Sequence, residues 1–197
     1  MKQIAILASG NGSNAEAIVH YFRSTREAEV ALILTNKREA GVVERAERLG
    51  IPCHYFTNKE LREGTAPLAL MREKAIDLIV LAGFMKLLGA PFTDRFGDRI
   101  INSHPALLPA FPGAHAVRDA LAAGATSTGC SIFWVDEGVD TGRMIAQVPV
   151  EILPGDDEPT LHERIKVSER TLLVKTVNEL AAQHATGPRP AARKVMQ

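Results

Sequence analysis

Short, unbroken apolar runs that end abruptly in turn residues constrain this chain most. Ile4 to Ala8 is apolar throughout and stops at Ser9-Gly10-Asn11-Gly12-Ser13. Val30 to Thr35 and, broken only by Asp77, Ile76 to Ala82 repeat the pattern. A strand with one face in water alternates apolar and polar residues, so continuous runs of this length indicate strands buried on both faces, as in a parallel sheet covered by helices. Helical segments separate them. One runs from Asn14 to about Arg26, with Ala17, Ile18 and Tyr21 on one side. Another runs from Gly41 to Leu49 and is ended by Gly50 as its C′ residue.

Ile51 to Phe56 is predicted as a third strand, shortened by Pro52, and Pro67 to Lys74 as a helix with proline in its first turn. Ile100 and Ile101 make a further short strand that ends at about Asn102. After Gly124 the rhythm changes. Gly129 to Val135 and Met144 to Ile152 are two strands joined by a short turn, which predicts an antiparallel pair at the sheet's edge. Leu161, Ile165, Leu172, Val177 and Leu180 recur at helical spacing and predict a long closing helix over about 159–183. The expected fold is α/β and Rossmann-like: a largely parallel twisted sheet of about seven strands, with an antiparallel edge and helices on both faces. Residues 1–184 are expected to form one domain. Residues 185–197 hold two prolines, three basic residues and no acid, and are expected to be a disordered basic tail.

Composition narrows the partners. The chain has 197 residues, with 23 Lys plus Arg against 23 Asp plus Glu. That balance lacks the basic excess of an electrostatic nucleic-acid binder or a surface-bound membrane helix. No stretch approaches the roughly 20 apolar residues that span a bilayer, and the N-terminus carries no secretory pattern. Cys53 and Cys130 match no metal or redox spacing, and are expected as free thiols or buried small hydrophobes. A cytoplasmic enzyme acting on a small molecule is the expectation.

Three segments carry candidate chemistry. In Gly10-Asn11-Gly12-Ser13-Asn14-Ala15, between a strand and a helix, glycines permit a sharp turn and a close approach to a ligand, and a helix start offers free N–H groups to an anion. Ser13 and Asn14 are candidate caps for that helix. A plain capped turn reads equally well, and G-x-G-x-x-A also fits the loose dinucleotide fingerprint. Where NAD would want an acid the chain has Thr35-Asn36-Lys37-Arg38. Arg38 leaves NADP open, and a phosphomonoester fits better.

The second segment is Asn102-Ser103-His104-Pro105, followed by a loop of about a dozen residues containing Pro105, Pro109 and Pro112. Asn102 and His104 project to the same side of an extended chain, where an amide and an imidazole suit an oxyanion; both are also ordinary polar ends of a strand. The third is the acidic turn Asp136-Glu137-Gly138-Val139-Asp140-Thr141-Gly142, whose residues suit a turn for conformational reasons alone. Asp140, between Val139 and Thr141, is the acid expected to be partly desolvated and able to pair with a histidine.

Together with Val80-Leu81-Ala82-Gly83-Phe84-Met85 and Leu107-Leu108-Pro109, these segments resemble, in order and spacing, the folate-dependent formyltransferase family. The resemblance runs from the first strand to about residue 182. It implies transfer of the formyl group of 10-formyltetrahydrofolate, as co-substrate, to an amine, and is nearest to the branch whose acceptor is glycinamide ribonucleotide in purine synthesis. It implies Asn102, His104 and Asp140 as the catalytic trio, and Gly12, Ser13 and Asn14 as the phosphate loop. Met85, Lys86, Leu87 and Leu88, with Val139 opposite, would line the folate pocket, and Arg62 would sit near the folate's glutamate tail. Lys166 and Glu169 would contact the ribonucleotide. Small molecules are the implied partners, with no metal, nucleic acid or membrane, and a homodimer is left open. A sugar-nucleotide N-formyltransferase, an NADP-dependent oxidoreductase and a non-catalytic nucleotide-binding module are the alternatives. Phe133 and Arg143 stand where the family more often carries histidine and proline, and are expected not to touch the trio.

Overall fold

The computed structural model describes residues 1–183. The elements are β1 (Lys2–Leu7), α1 (Ser13–Thr25), β2 (Ala28–Thr35), α2 (Gly41–Arg48), β3 (Cys53–Tyr55), α3 (Asn58–Glu63), α4 (Thr65–Glu73), β4 (Leu78–Leu81), α5 (Ala90–Phe96), β5 (Ile100–His104), α6 (Ala116–Ala122), β6 (Ser127–Trp134), β7 (Met144–Glu151) and α7 (Glu158–Gln183). The strands form one seven-stranded sheet in the order β3-β2-β1-β4-β5-β6-β7. Neighbours from β3 to β5 are parallel, whereas β5–β6 and β6–β7 are antiparallel.

Alternation along the strands divides the core into two layers. Ile4 and Ile6 of β1, with Leu78 and Val80 of β4, pack with Ile18, Val19 and Phe22 of α1 and with Leu173, Val177 and Leu180 of α7. Ala5, Leu7, Ile79 and Leu81 point the other way, onto Leu61 of α3, Met71 of α4, and Phe92 and Phe96 of α5. Helices on both faces are what runs apolar at every position require. α2 ends as expected: Gly50, at φ +62, donates its N–H to Glu47 O, and Ile51 donates to Ala46 O, the paired bonds of a Schellman cap.

Four details differ from expectation. β5 runs on to His104 instead of ending near Asn102, because Ile132 and Ser131 of β6 pair with Ser103 and His104. Helices α3 and α5 were not expected. α3 buries only Leu61, so it shows no apolar period; its signature is instead a capping box, with Thr57 Oγ1 accepting from the Glu60 N–H and Glu60 Oε2 accepting from the Thr57 N–H. α5 is seven residues with proline at its start, too short for a periodic signal. Neither Ser13 nor Asn14 caps α1: the N-cap is Gly12, with no side-chain bond. The expected tail at 185–197 lies outside the described residues. Among the described residues no helix is long and apolar enough to cross a membrane.

Candidate active site

Strand order reverses between β1 and β4, and in open α/β sheets the crevice beyond the carboxyl ends of such strands is where ligands bind. The loop after β1 and the segment after β4 meet there. Ser9 donates its N–H to Gly83 O, its hydroxyl accepts the Met85 N–H at 3.2 Å, and that hydroxyl donates to Asn36 Oδ1 at 2.7 Å. Asn36 continues the chain to Asn58 Oδ1 at 2.9 Å. This network ties β1, β2, α3 and the segment at 85 together. None of its three polar side chains was assigned a role from sequence, although Ser9 follows directly on a fully apolar run.

Gly12 holds φ +82, and a Cβ there would fall 2.6–2.8 Å from Val42. Glycine is therefore demanded both by conformation and by packing on α2. Arg45 of α2 donates to the Asn11 carbonyl and to Asn11 Oδ1, and also pairs with Glu16 of α1, which Arg48 joins. The Arg48 hydrogen bond is the main reason the Glu16 carboxyl lies below its ordinary range. The turn is thus braced from α2, and the first turn of a 13-residue helix presents N–H groups that no side chain caps, as an anion site requires. A cleft of about 550 Å³ is lined by Ser9 and Gly10 of this loop together with Lys37, Arg38, Glu39 and Gly41, and the Arg38 guanidinium is stacked 4.0 Å above the Tyr55 ring.

His104 and Asp140 come together. Nδ1 of His104 lies 3.3 Å from Asp140 Oδ2, with side-chain exposures of 6% and 11%. The contact needs an unusual turn. Trp134 pairs with Ile101, and Met144 with Phe133, so the β6–β7 connection leaves the sheet at the level of Ile101. His104 is three residues further along β5, about 10 Å away. The connection folds back to reach it, with Asp140 in the left-handed region at φ +55 and Gly142 pressed so close to Trp134 O that a Cβ would sit 1.6 Å away. Asp140 Oδ2 also accepts the Gly113 N–H at 2.8 Å, and His104 Nε2 lies 2.8 Å from the Phe111 carbonyl, where Phe111 holds φ +54. The ring therefore stands between two acceptors. Both contacts are satisfied only when both ring nitrogens carry a proton.

The loop after His104 is pinned from beneath. Ser131 Oγ donates to Ala106 O and accepts the Leu108 N–H, and Gln147 Nε2 donates to both Leu108 O and Ser131 Oγ. Asn102 lies on the same strand face as His104. Its side chain has no hydrogen-bond partner among the described residues, and the buried Phe133 stands directly opposite it across the ladder. Phe133 is thus a neighbour of the trio, contrary to expectation, whereas Arg143 turns its guanidinium toward Trp134, 5.8 Å from the ring.

Apolar side chains stand in the open after β4 and in the turn that carries Asp140. Met85 and Leu87 are each 65% exposed and Val139 is 50% exposed, while Leu88 is half-buried against the core and Lys86 is exposed. Large apolar side chains left in the open are the kind of surface that a ligand covers. Arg62 is exposed at the end of α3, and its carbonyl abuts Gly89, where a Cβ would lie 1.9 Å away; α3 therefore borders the 85–89 segment. Glu169 is reached differently. It is buried on α7, and its Oε1 accepts from Ser103 Oγ at 2.5 Å, on the strand face opposite Asn102 and His104. Lys166, one helical turn away, pairs with Glu163. Burial and the nearby Glu169 push the Cys130 thiol far up, which makes it an inert core residue. Among the described residues no group of three or more His, Cys, Asp or Glu is placed to hold a metal.

This fold, with these loops at its strand ends, is that of a transferase domain: the formyl transferase family model matches residues 2–177, and the chain belongs to that family. Among its relatives is the phosphoribosylglycinamide formyltransferase of Mycobacterium tuberculosis (strain ATCC 25618 / H37Rv), 43% identical over 188 residues, covering 93% of this chain and 87% of the relative. The trifunctional purine biosynthetic protein adenosine-3 of Drosophila pseudoobscura pseudoobscura is 41% identical over 92% of this chain, but the chain spans only 14% of that protein's length. The crystal structure of phosphoribosylglycinamide formyltransferase from Bacillus halodurans superposes with a TM-score of 0.86 at 40% identity, covering 93% of this chain and 97% of that one.

Proposed function

We propose that this chain transfers the formyl group of 10-formyltetrahydrofolate to the amine of glycinamide ribonucleotide, as the names of its relatives suggest. The observation that carries the reading is His104 clamped by Asp140, with the unpartnered Asn102 amide on the same strand face. Met85, Leu87 and Val139 suit the flat ring system of a folate, Arg62 its glutamate carboxylates, and the start of α1 at Gly12, Ser13 and Asn14 a ribonucleotide phosphate. Lys166 and Glu169 would serve the ribose side.

The substrate amine would attack the formyl carbon directly. The carbonyl oxygen would gain negative charge, the bond from that carbon to the folate nitrogen would then break, and the proton lost by the amine would pass to that nitrogen. The protein's part is to align two small molecules and to stabilise the oxyanion. Asn102 would donate its amide N–H to the oxygen, and an imidazolium at His104, held by Asp140, would supply a second donor and a proton path. The Nε2 side of the ring now faces the Phe111 carbonyl, so reaching an oxyanion requires that N–H to be shared or Phe111 to move. This chemistry calls for no metal, and its setting would be the cytoplasm.

Incubation with 10-formyltetrahydrofolate and glycinamide ribonucleotide should release tetrahydrofolate and the formylated ribonucleotide in equal amounts. No transfer to this amine, with transfer to an amino-sugar nucleotide instead, would overturn the reading.

A further inference from the structure

We infer that Ser103 is a positioning residue, whose hydroxyl holds Glu169 so that one carboxylate oxygen faces the ribose hydroxyls of the bound ribonucleotide. The inference rests on the proposed reading of Glu169 as a ribose contact, and adds a residue with no assigned role. Ser103 lies between Asn102 and His104 on β5, so its side chain points to the opposite face of the sheet, toward α7. Its neighbours on that face are apolar: Ile101 on its own strand and Ile132 directly across on β6, both fully buried. A serine gains nothing from such a place unless its hydroxyl is bonded.

Its bond is to Glu169 Oε1, at 2.5 Å, the short contact of a hydroxyl on a charged oxygen. Glu169 is a buried carboxylate, and among the described residues no cation forms a salt bridge with it. A buried carboxylate without a cation is costly, and such costs concentrate where a ligand supplies the missing partners. The second oxygen, Oε2, has no partner among the described residues, yet it is absent from the buried polar atoms that lack one, so it reaches the surface. One oxygen is fixed and the other is open. Two vicinal hydroxyls are the donors such an oxygen suits.

The arrangement also couples the two halves of the site. The strand that carries Asn102 and His104 toward the folate side carries Ser103 toward the ribonucleotide side. Fixing Glu169 through Ser103 therefore registers the sugar against the catalytic pair through a single segment of backbone.

The test measures steady-state kinetics of Ser103→Ala, Ser103→Thr and Glu169→Ala with glycinamide ribonucleotide and with its analogue lacking both ribose hydroxyls, alongside thermal melting. Ser103→Ala is expected to raise KM for the ribonucleotide about tenfold while KM for the folate stays within about twofold. It should also shrink the preference for ribonucleotide over analogue, and Ser103→Thr should restore both. A ribonucleotide KM unchanged in Ser103→Ala but raised in Glu169→Ala overturns the role of Ser103 and leaves Glu169 as the ribose contact. An unchanged KM in Glu169→Ala overturns that underlying reading as well. Equal rises in both KM values, with a lowered melting point, would make Ser103 structural only. Should Ser103→Ala not fold, the dihydroxy preference of Glu169→Gln against wild type decides: no loss of preference overturns the inference.

Discussion

Oδ2 of Asp140 lies 3.3 Å from His104 Nδ1 and accepts the Gly113 N–H at 2.8 Å, so one carboxylate oxygen holds both the imidazole and the loop that covers it. In Asp140→Asn the amide oxygen still accepts from Gly113, which preserves the loop. It carries no charge to balance an imidazolium. Turnover should fall by about 10²- to 10⁴-fold with little change in either KM. Steady-state kinetics on a variant with an unaltered circular dichroism spectrum checks this, and a loss under tenfold would remove Asp140 from the chemistry.

Asn102 has a different part. Its amide is unpartnered, and Phe133 opposite it offers no donor that could substitute. Asn102→Ala should lower turnover on the order of 100-fold or more, the usual effect of deleting one oxyanion donor. Near wild-type turnover would sink the oxyanion role.

How much of this was legible from the chain alone differed by element. Runs such as Ile4 to Ala8 announce a doubly buried strand, because burial on both faces admits no polar position; the parallel core and its helices follow from that. Asn102 and His104 were legible as a pair because a strand repeats every two residues. The fold-back of the β6–β7 connection was not. Asp136 to Gly142 has the composition of a plain hairpin turn, and nothing local says that Asp140 returns across about 10 Å to His104. The fold-back shows only in tertiary facts: the left-handed backbone of Asp140, its bond from the Gly113 N–H, and the lack of room at Gly142. Ser103 was overlooked for the complementary reason: the two-residue period that singles out its neighbours also points it away from them.

The loop proposed to hold the phosphate yields a steric prediction. An alanine at position 12 would be strained at φ +82 and would place its Cβ 2.6–2.8 Å from Val42 Cγ2, Cβ and Cα, which cannot all yield without moving α2. Gly12→Ala should therefore raise KM for the ribonucleotide at least about tenfold, by shifting N–H groups whose value depends on placement. KM for the folate should move far less. Isothermal titration with each substrate separates the two, and equal weakening of both would contradict a local phosphate role.

The exposed apolar side chains yield a second binding prediction. Met85 and Leu87 are each 65% exposed, so a folate ring laid on them would remove apolar surface from water. At about 25 cal/mol per Å² this is on the order of 1 kcal/mol for each residue, or about fivefold in affinity. Met85→Ser and Leu87→Ser should each weaken folate binding by about that factor while leaving ribonucleotide binding alone. Folate affinity unchanged in both would place the ring elsewhere.

Stability at low pH should report on Asp156. Both its oxygens take hydrogen bonds from the Arg164 guanidinium, and Oδ2 also accepts the Leu153 N–H, fixing the entry to α7. These bonds hold its carboxyl down at about 2, against an ordinary value of 3.8. The folded state thus binds this proton less readily than the unfolded state. Its contribution is complete above about pH 4 and is lost as pH falls toward 2. Asp156→Asn keeps one acceptor but cannot titrate. Its melting temperature should be lower than wild type at pH 7, and the difference between the two should close between pH 4 and pH 2. Parallel curves across that interval would show that the Arg164 pair contributes nothing to the folded state's acid sensitivity.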